Sequence, residues 1–240
     1  FACQASSAKF LSEDRLKAEA FLGFHPEKLR ARFEGHESRV ELEPGTDEYK
    51  AVECIFHASP PKGVKMFYMG NGTERVPITK IERVQNREAQ DMKDSTHDVV
   101  KKQLQRVGAN YQGGVHSRWL FHGAGNAAAL ENIVTHPKSG FARASRHKWG
   151  HGCYFARDAA YPVKGRLCED CVDEENNQMV MLCLVETGLS CTGEEHLDQR
   201  PKVHTNLRLN YNSFVDWPSN PEVFSVEGMD AYPAYVIHFE

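Results

Sequence analysis

Two short stretches hold residue types suited to gripping a flat, polar ligand. His122 and Gly123 close the apolar run WLFH, and Tyr154 follows the glycines of WGHGCYFARDAAY. An imidazole at the end of a strand faces a groove more often than a core. The glycine beside it lets a ligand approach the main chain closely. Tyr154 brings an aromatic face and a hydroxyl, and each needs a partner. Gly150 and Gly152 permit a sharp turn that aims it. The chemistry such a pair offers is a hydrogen bond at a ring nitrogen and a contact against a ring face. Each residue alone also has an ordinary reading: a histidine with a local hydrogen bond, and a core tyrosine on a strand.

The chain that must position them has 240 residues, which suits one large domain or one domain with a small appendage. A chain of this length buries a sizeable core without staples. The formal net charge of -4 weighs against a polyanion-binding surface, so nucleic acid is not indicated as a partner, though local basic patches stay open. No apolar run approaches the roughly 18 residues of a membrane helix, and no membrane partner is expected. The stretch FACQASSAKFLSEDRLKAEA has no basic region followed by an apolar one, so it does not read as a signal peptide. Seven cysteines, an odd and scattered set, include Cys183 in the apolar run MVMLCLVE. That residue reads as a buried thiol in a core strand, which fits a reducing compartment. An intracellular location, cytoplasmic or nuclear, and a monomer are the expectations.

Helical signals dominate the first part. Ser12 can cap a helix with Leu16, Ala20 and Phe21 on its apolar face, ended by Gly23. Pro26 can open a short second helix with Leu29 and Phe33, closed by Gly35. Thr46 or Asp47 can cap a third, with Tyr49, Val52, Ile55 and Phe56 at helical spacing. ASPPKG reads as a loop. KMFYMG and VPITKIERVQN then alternate as strands do. Asn86 can cap a helix with Ala89, Met92, Val99 or Val100, and Leu104 on one face, followed by the loop GANYQGG. The short strands RWLFH, CYFA, QMVMLCLVE, PEVFSV and AYVIHF follow, and Asn126 leads a helix with Leu130, Ile133 and Val134 inward. Helices early and strands late, with no regular alternation, predict an α+β fold.

Taken in order, ITKIERVQN, LFHG, GHGCYFARDAAY, MLCLVETG, NPEVFSV and AYPAYVI resemble the catalytic domain of the poly(ADP-ribose) polymerase family, in its mono-ADP-ribosyltransferase branch. The likeness covers roughly residues 45–240, which it marks as an ADP-ribosyltransferase catalytic domain. Residues 1–44 then form an N-terminal helical extension with no assigned role beyond packing. The resemblance implies two packed antiparallel sheets, flanked by helices, with a cleft that holds NAD as co-substrate. It implies that His122 hydrogen-bonds a ribose hydroxyl, that Gly123 offers its N–H and C=O to the nicotinamide carboxamide, and that Tyr154 stacks on the nicotinamide ring. The activity implied is transfer of ADP-ribose to an acceptor protein with release of nicotinamide.

Three positions depart from the family pattern. Polymerase members carry a Glu on the strand near the C-terminus that serves as a general base. NPEVFSV puts Val223 there, with Glu222 adjacent and turned to the other face by strand alternation. The resulting set, His122, Tyr154 and Val223, resembles the mono-transferases, whose acceptor supplies its own base. The family's nicotinamide-binding Ser aligns with Pro162, which has neither hydroxyl nor N–H. The second stacking tyrosine has no counterpart in VKGRLCEDC, and Tyr161 is the candidate to shift into its place. These departures leave an alternative open: the same fold without catalysis, kept as a protein- or RNA-binding module. Cys168 and Cys171 form a CxxC in the acidic stretch CEDCVDEE, with His147, His151 and His204 as the remaining candidates for a zinc site. Without a second CxxC or a spaced His pair no metal is expected, and the stretch reads as a solvated loop with two reduced thiols.

Overall fold

Polar caps start the longer helices at the positions the sequence marks. The side chains of Ser12, Thr46, Asn86 and Asn126 accept hydrogen bonds from the main-chain N–H of Arg15, Tyr49, Ala89 and Ala129. They open α1 (Glu13–Leu22), α3 (Asp47–His57), α4 (Arg87–Arg106) and α5 (Ala127–Thr135), with the short α2 (Pro26–Arg30) and α6 (Ala160–Lys164) between them. Gly23, at φ 80°, ends α1 as expected. The second helix stops at Arg30, short of Gly35, and α6 is absent from the sequence reading because Pro162 lies inside it. This computed structural model describes residues 11–58, 76–136, 141–144, 147–203 and 208–240. The expected strand KMFYMG lies outside the described residues.

Nine described strands follow: β1 (Arg39–Glu41), β2 (Ile78–Val84), β3 (Ser117–His122), β4 (Cys153–Ala156), β5 (Gln178–Glu186), β6 (Ser190–Thr192), β7 (Ser213–Val215), β8 (Val223–Val226) and β9 (Ala231–Phe239). They join in the order β1-β2-β9-β5-β3-β4-β8-β7-β6, antiparallel throughout except for the β6–β7 pair. The architecture is α+β. Where two sheets were expected, the strands are linked into one continuous sheet. Its seam is β3–β4, which is registered at the single pair Phe121–Ala156. The reason is local. β4 is four residues long and pairs with β8 along its whole length, while β3 pairs with β5 from Ser117 to His122.

Two apolar clusters cover the sheet. One gathers α1 and α3 over β2, β9, β5 and β3, with Val52, Ile55 and Phe56 fully buried. Burying such a side chain contributes about 1.5–3 kcal/mol. The other joins Leu130, Ile133 and Val134 of α5 to Met181 and Cys183 of β5 and to Phe155, Phe224 and Val226 of β4 and β8. Because β1 pairs with β2 and α1 packs in the first cluster, the described part of residues 1–44 shares the core of the rest.

Two helices bury a face that apolar spacing does not mark. In α1 the inward residues are Arg15, Ala18, Glu19 and Leu22, whereas Ala20 and Phe21 of the expected face are exposed. In α4, Gln90, Lys93 and His97 are buried beside Ala89, Val100 and Leu104, while Val99 faces out. Lys93 pairs with the fully buried Glu186 of β5, and His97 Nδ1 lies 3.0 Å from the same oxygen. Burial alone raises the Glu186 carboxyl, but Lys93 and His97 outweigh it and hold the group below its ordinary range. At the far end of the sheet His238 of β9 is held by Asp173 through Nδ1 at 2.7 Å and by Glu82 through Nε2 at 2.8 Å. Burial raises the Asp173 carboxyl, yet the bonds from His238, Asn177 and Glu175 bring it down to about 2.

Asn86 has a double role, capping α4 and donating from Nδ2 to the Val134 carbonyl at the end of α5, 2.8 Å away. Asn86→Ala is expected to cost about 1–3 kcal/mol, read as a lower urea midpoint. An unchanged midpoint would show that neither helix depends on this side chain.

Candidate active site

Beyond the single pair at the β3–β4 seam the two strands part, and a groove of about 570 Å³ opens there. His122, Gly123, Tyr154, Tyr161 and Val223 all line it. The structure thus brings these five residues around one groove; Glu222, Cys168, Cys171, His147 and His151 are not among its lining residues. β3 ends at His122, β4 carries Tyr154, β8 begins with Val223, and α6 supplies Tyr161 and Pro162.

His122 spans the parting strands. Its Nδ1 lies 2.8 Å from the main-chain oxygen of Tyr154. A carbonyl oxygen only accepts, so Nδ1 carries the proton and Nε2 keeps its lone pair as an acceptor. The ring lies between Phe155, with centroids 5.0 Å apart, and Phe141, at 5.2 Å edge-on. Burial among these groups lowers the imidazole below its ordinary value of 6.5, partly opposed by the bond to Tyr154. The neutral, acceptor-bearing form is therefore the form the fold selects.

Tyr154 is fixed by its own turn. Its hydroxyl donates to the Gly150 carbonyl and accepts from the Trp149 N–H, each at 2.8 Å. Gly150, at φ 82°, and Gly152, at φ 158°, both lie in the region that favours glycine. A Cβ on Gly150 would come within 2.5 Å of the Phe214 ring, so the turn excludes side chains at that point. Half-buried, with its hydroxyl engaged, Tyr154 lines the groove.

Val223 pairs with Ala156 and Ser225 with Tyr154, and directly paired residues share a face of a sheet. Val223 therefore stands on the Tyr154 face, and Glu222 is not among the groove-lining residues. Asp216 secures this register. Its Oδ1 accepts from the N–H of Trp217, Glu222 and Val223 at 2.8, 3.0 and 3.1 Å. Nothing in the sequence pattern singled out Asp216.

Packing alone requires a glycine at position 123. A Cβ there would lie 2.8 Å from the Leu167 carbonyl oxygen and 2.9 Å from its Cβ. The chain leaving α6 crosses at this point, and Leu167 also accepts the Gly125 N–H at 3.1 Å. Arg166, Leu167 and Asp170 complete this wall of the groove. Just beyond it the expected solvated thiols are instead buried. Cys168 and Cys171 are both inaccessible to solvent, and burial pushes their thiols up to about 12 and about 11. Among the described residues no group of three or more His, Cys, Asp or Glu is placed to hold a metal, and no helix is long and apolar enough to cross a membrane. His204 lies outside the described residues.

A depressed histidine value has a definite sign in stability. The neutral form is favoured in the fold, so His122 contributes stability above its unfolded value, and that contribution is lost as pH falls through the lower folded one. Titration of the His122 ring by NMR is expected to show a midpoint below 6.5. A midpoint at or above that value would contradict the desolvated, acceptor-bearing ring.

No family model matches the chain. Individual relatives do. Protein mono-ADP-ribosyltransferase PARP12 of Mus musculus is 26% identical over 204 residues, and PARP12 of Homo sapiens is 26% identical over the same length. Each match takes 84% of this chain and 25% of the relative. Protein mono-ADP-ribosyltransferase PARP11 of Mus musculus is 25% identical over 219 residues, 83% of this chain and 60% of the relative. The chain thus spans a quarter of the length of the PARP12 relatives it matches. Over 83–84% of its length the chain is thus similar to proteins named mono-ADP-ribosyltransferases, which is the likeness the sequence motifs also carry.

Proposed function

We propose that the chain is a mono-ADP-ribosyltransferase domain that moves one ADP-ribose unit from NAD to an acceptor protein and releases nicotinamide. The observation that carries this reading is the meeting of His122, Gly123, Tyr154, Tyr161 and Val223 around one groove. A groove of about 570 Å³ is of the size that takes a small ligand, here the nicotinamide–ribose half of the dinucleotide. The names of the PARP12 and PARP11 relatives support the same reading.

Each residue then has a task. The His122 Nε2 lone pair accepts a hydrogen bond from a ribose hydroxyl. The main chain of Gly123 offers one donor and one acceptor to the planar carboxamide. The Tyr154 ring lies against the nicotinamide, and Tyr161 serves as the second aromatic wall in place of the family's missing tyrosine. Pro162 has no hydroxyl to give, so one hydrogen bond of the family pattern is forgone. The reaction breaks the bond between nicotinamide and ribose, with positive character building at the ribose carbon as in other glycosyl transfers. Holding the two halves in an aligned pose supplies much of the rate. Val223 cannot take a proton, so the acceptor side chain provides its own base and the product stops at one unit.

Incubation with labelled NAD is expected to give labelled protein and free nicotinamide, and His122→Ala to nearly abolish both. Folded wild-type protein that yields neither rejects the reading. Val223→Glu is expected not to create a polymerase, since the contacts for a second unit are still missing. Long labelled chains from that variant would show that position 223 alone sets product length.

A further inference from the structure

The β3–β4 seam has two sides. On one side the strands part around the groove, and the His122–Tyr154 bond spans them. On the other side the strands again lack ladder pairs, and a side chain from α1 fills the gap. Arg15 is 1% exposed. Its Nη2 donates to the carbonyl of Trp119 on β3 at 3.3 Å and to that of Arg157, just past β4, at 2.7 Å. One guanidinium thus ties together the two strands that carry His122 and Tyr154, from the flank opposite the groove.

The same guanidinium is held in place by two carboxylates. Nε donates to Glu19 at 2.8 Å and Nη1 to Asp158 at 3.0 Å. The second Asp158 oxygen accepts from Arg157 Nε and Nη2 at 2.9 and 2.8 Å. Arg157 reaches on from Nη1 to Asn220 at 2.6 Å and to the Pro221 carbonyl at 3.2 Å, in the turn that leads to Val223. Its own N–H donates to the Glu222 carbonyl at 2.8 Å. A buried polar line therefore runs from α1 past β3 and the end of β4 to the turn that leads into β8. A planar fork of donors can meet two carbonyls and two carboxylates at once, which an ammonium group cannot do in fixed geometry.

We propose that Arg15 is a positioning residue for the groove: by bridging the Trp119 and Arg157 carbonyls it sets the spacing of β3 and β4, and so the His122–Tyr154 bond. The consequence for ligand binding rests on the transferase reading; the consequence for His122 does not.

The test compares Arg15→Lys, Arg15→Ala and Leu22→Ala. Leu22 sits fully buried on the same helix, and its truncation leaves a cavity but removes none of the hydrogen bonds from Arg15 to the Trp119 and Arg157 carbonyls. The first readout is the exchange rate of the His122 Nδ1 proton, followed by NMR. Arg15→Lys keeps one charge for Glu19 and Asp158 and is the deciding variant. It is expected to speed that exchange about tenfold, the protection given by roughly one hydrogen bond. Leu22→Ala is expected to lower the melting temperature and leave the exchange unchanged. Arg15→Ala, where it folds, is expected to go further than Arg15→Lys. Benzamide, a nicotinamide mimic, gives a second readout, with binding about tenfold weaker in Arg15→Lys. Exchange in Arg15→Lys within twofold of wild type, or an equal change in Leu22→Ala, overturns the proposal. Wild-type protein that binds no benzamide removes the transferase reading, while proton exchange still decides the role of Arg15.

Discussion

A hydrogen bond from His122 Nδ1 to the Tyr154 carbonyl joins two strands just where their ladder ends. It fixes the tautomer, because the carbonyl cannot donate. It also links the two side chains of the groove in one covalent and hydrogen-bonded frame, since the residue that accepts the bond is the residue that presents the aromatic ring. Displacing β4 along β3 breaks the bond and moves the ring together. The aromatic neighbours Phe141 and Phe155 cover part of the imidazole, and its burial favours the uncharged form that the tautomer requires.

That frame needs support because the seam itself is thin. One residue pair, with no ladder on either side, is a weak joint for a sheet. Much of the support is polar. Arg15, Asp158 and Arg157 lie under the seam, and Asp216 gathers three main-chain N–H groups at the turn before β8. Buried charges of this kind add little net stability compared with apolar packing, but breaking one partner leaves an uncompensated charge. They fix one arrangement of strands in preference to slipped alternatives, which is what a groove built from three strands demands.

The sequence made one kind of information plain and hid another. Asn86, Asn126, Ser12 and Thr46 announced their helices because a side-chain oxygen three residues before an N–H is a local device. QMVMLCLVE and CYFA matched β5 and β4 because their burial is expressed in residue type. The inward faces of α1 and α4 were not legible. Arg15, Lys93 and His97 bond to carboxylates more than 80 residues distant in the chain, and Glu19 is buried beside Arg15, so apolar periodicity carries no trace of them. The three-residue strands β1, β6 and β7 are too short to show alternation. The groove residues were found through order along the chain, a signal spread over six segments. Asp216 had no such context, and α6 was hidden by Pro162, which sits in its first turn where a missing N–H costs nothing.

His238 matters to the groove from a distance. The wall formed by Arg166, Leu167 and Asp170 leaves α6 at one end and runs into Asp173 at the other. Asp173 is moored to β9 by His238, and His238 in turn to Glu82 on β2. A strap fastened at both ends has little slack. Between those ends it is fastened again, where the Leu167 carbonyl accepts from Gly125 and the Cys171 carbonyl from Met179, so main-chain bonds hold this wall against its neighbours.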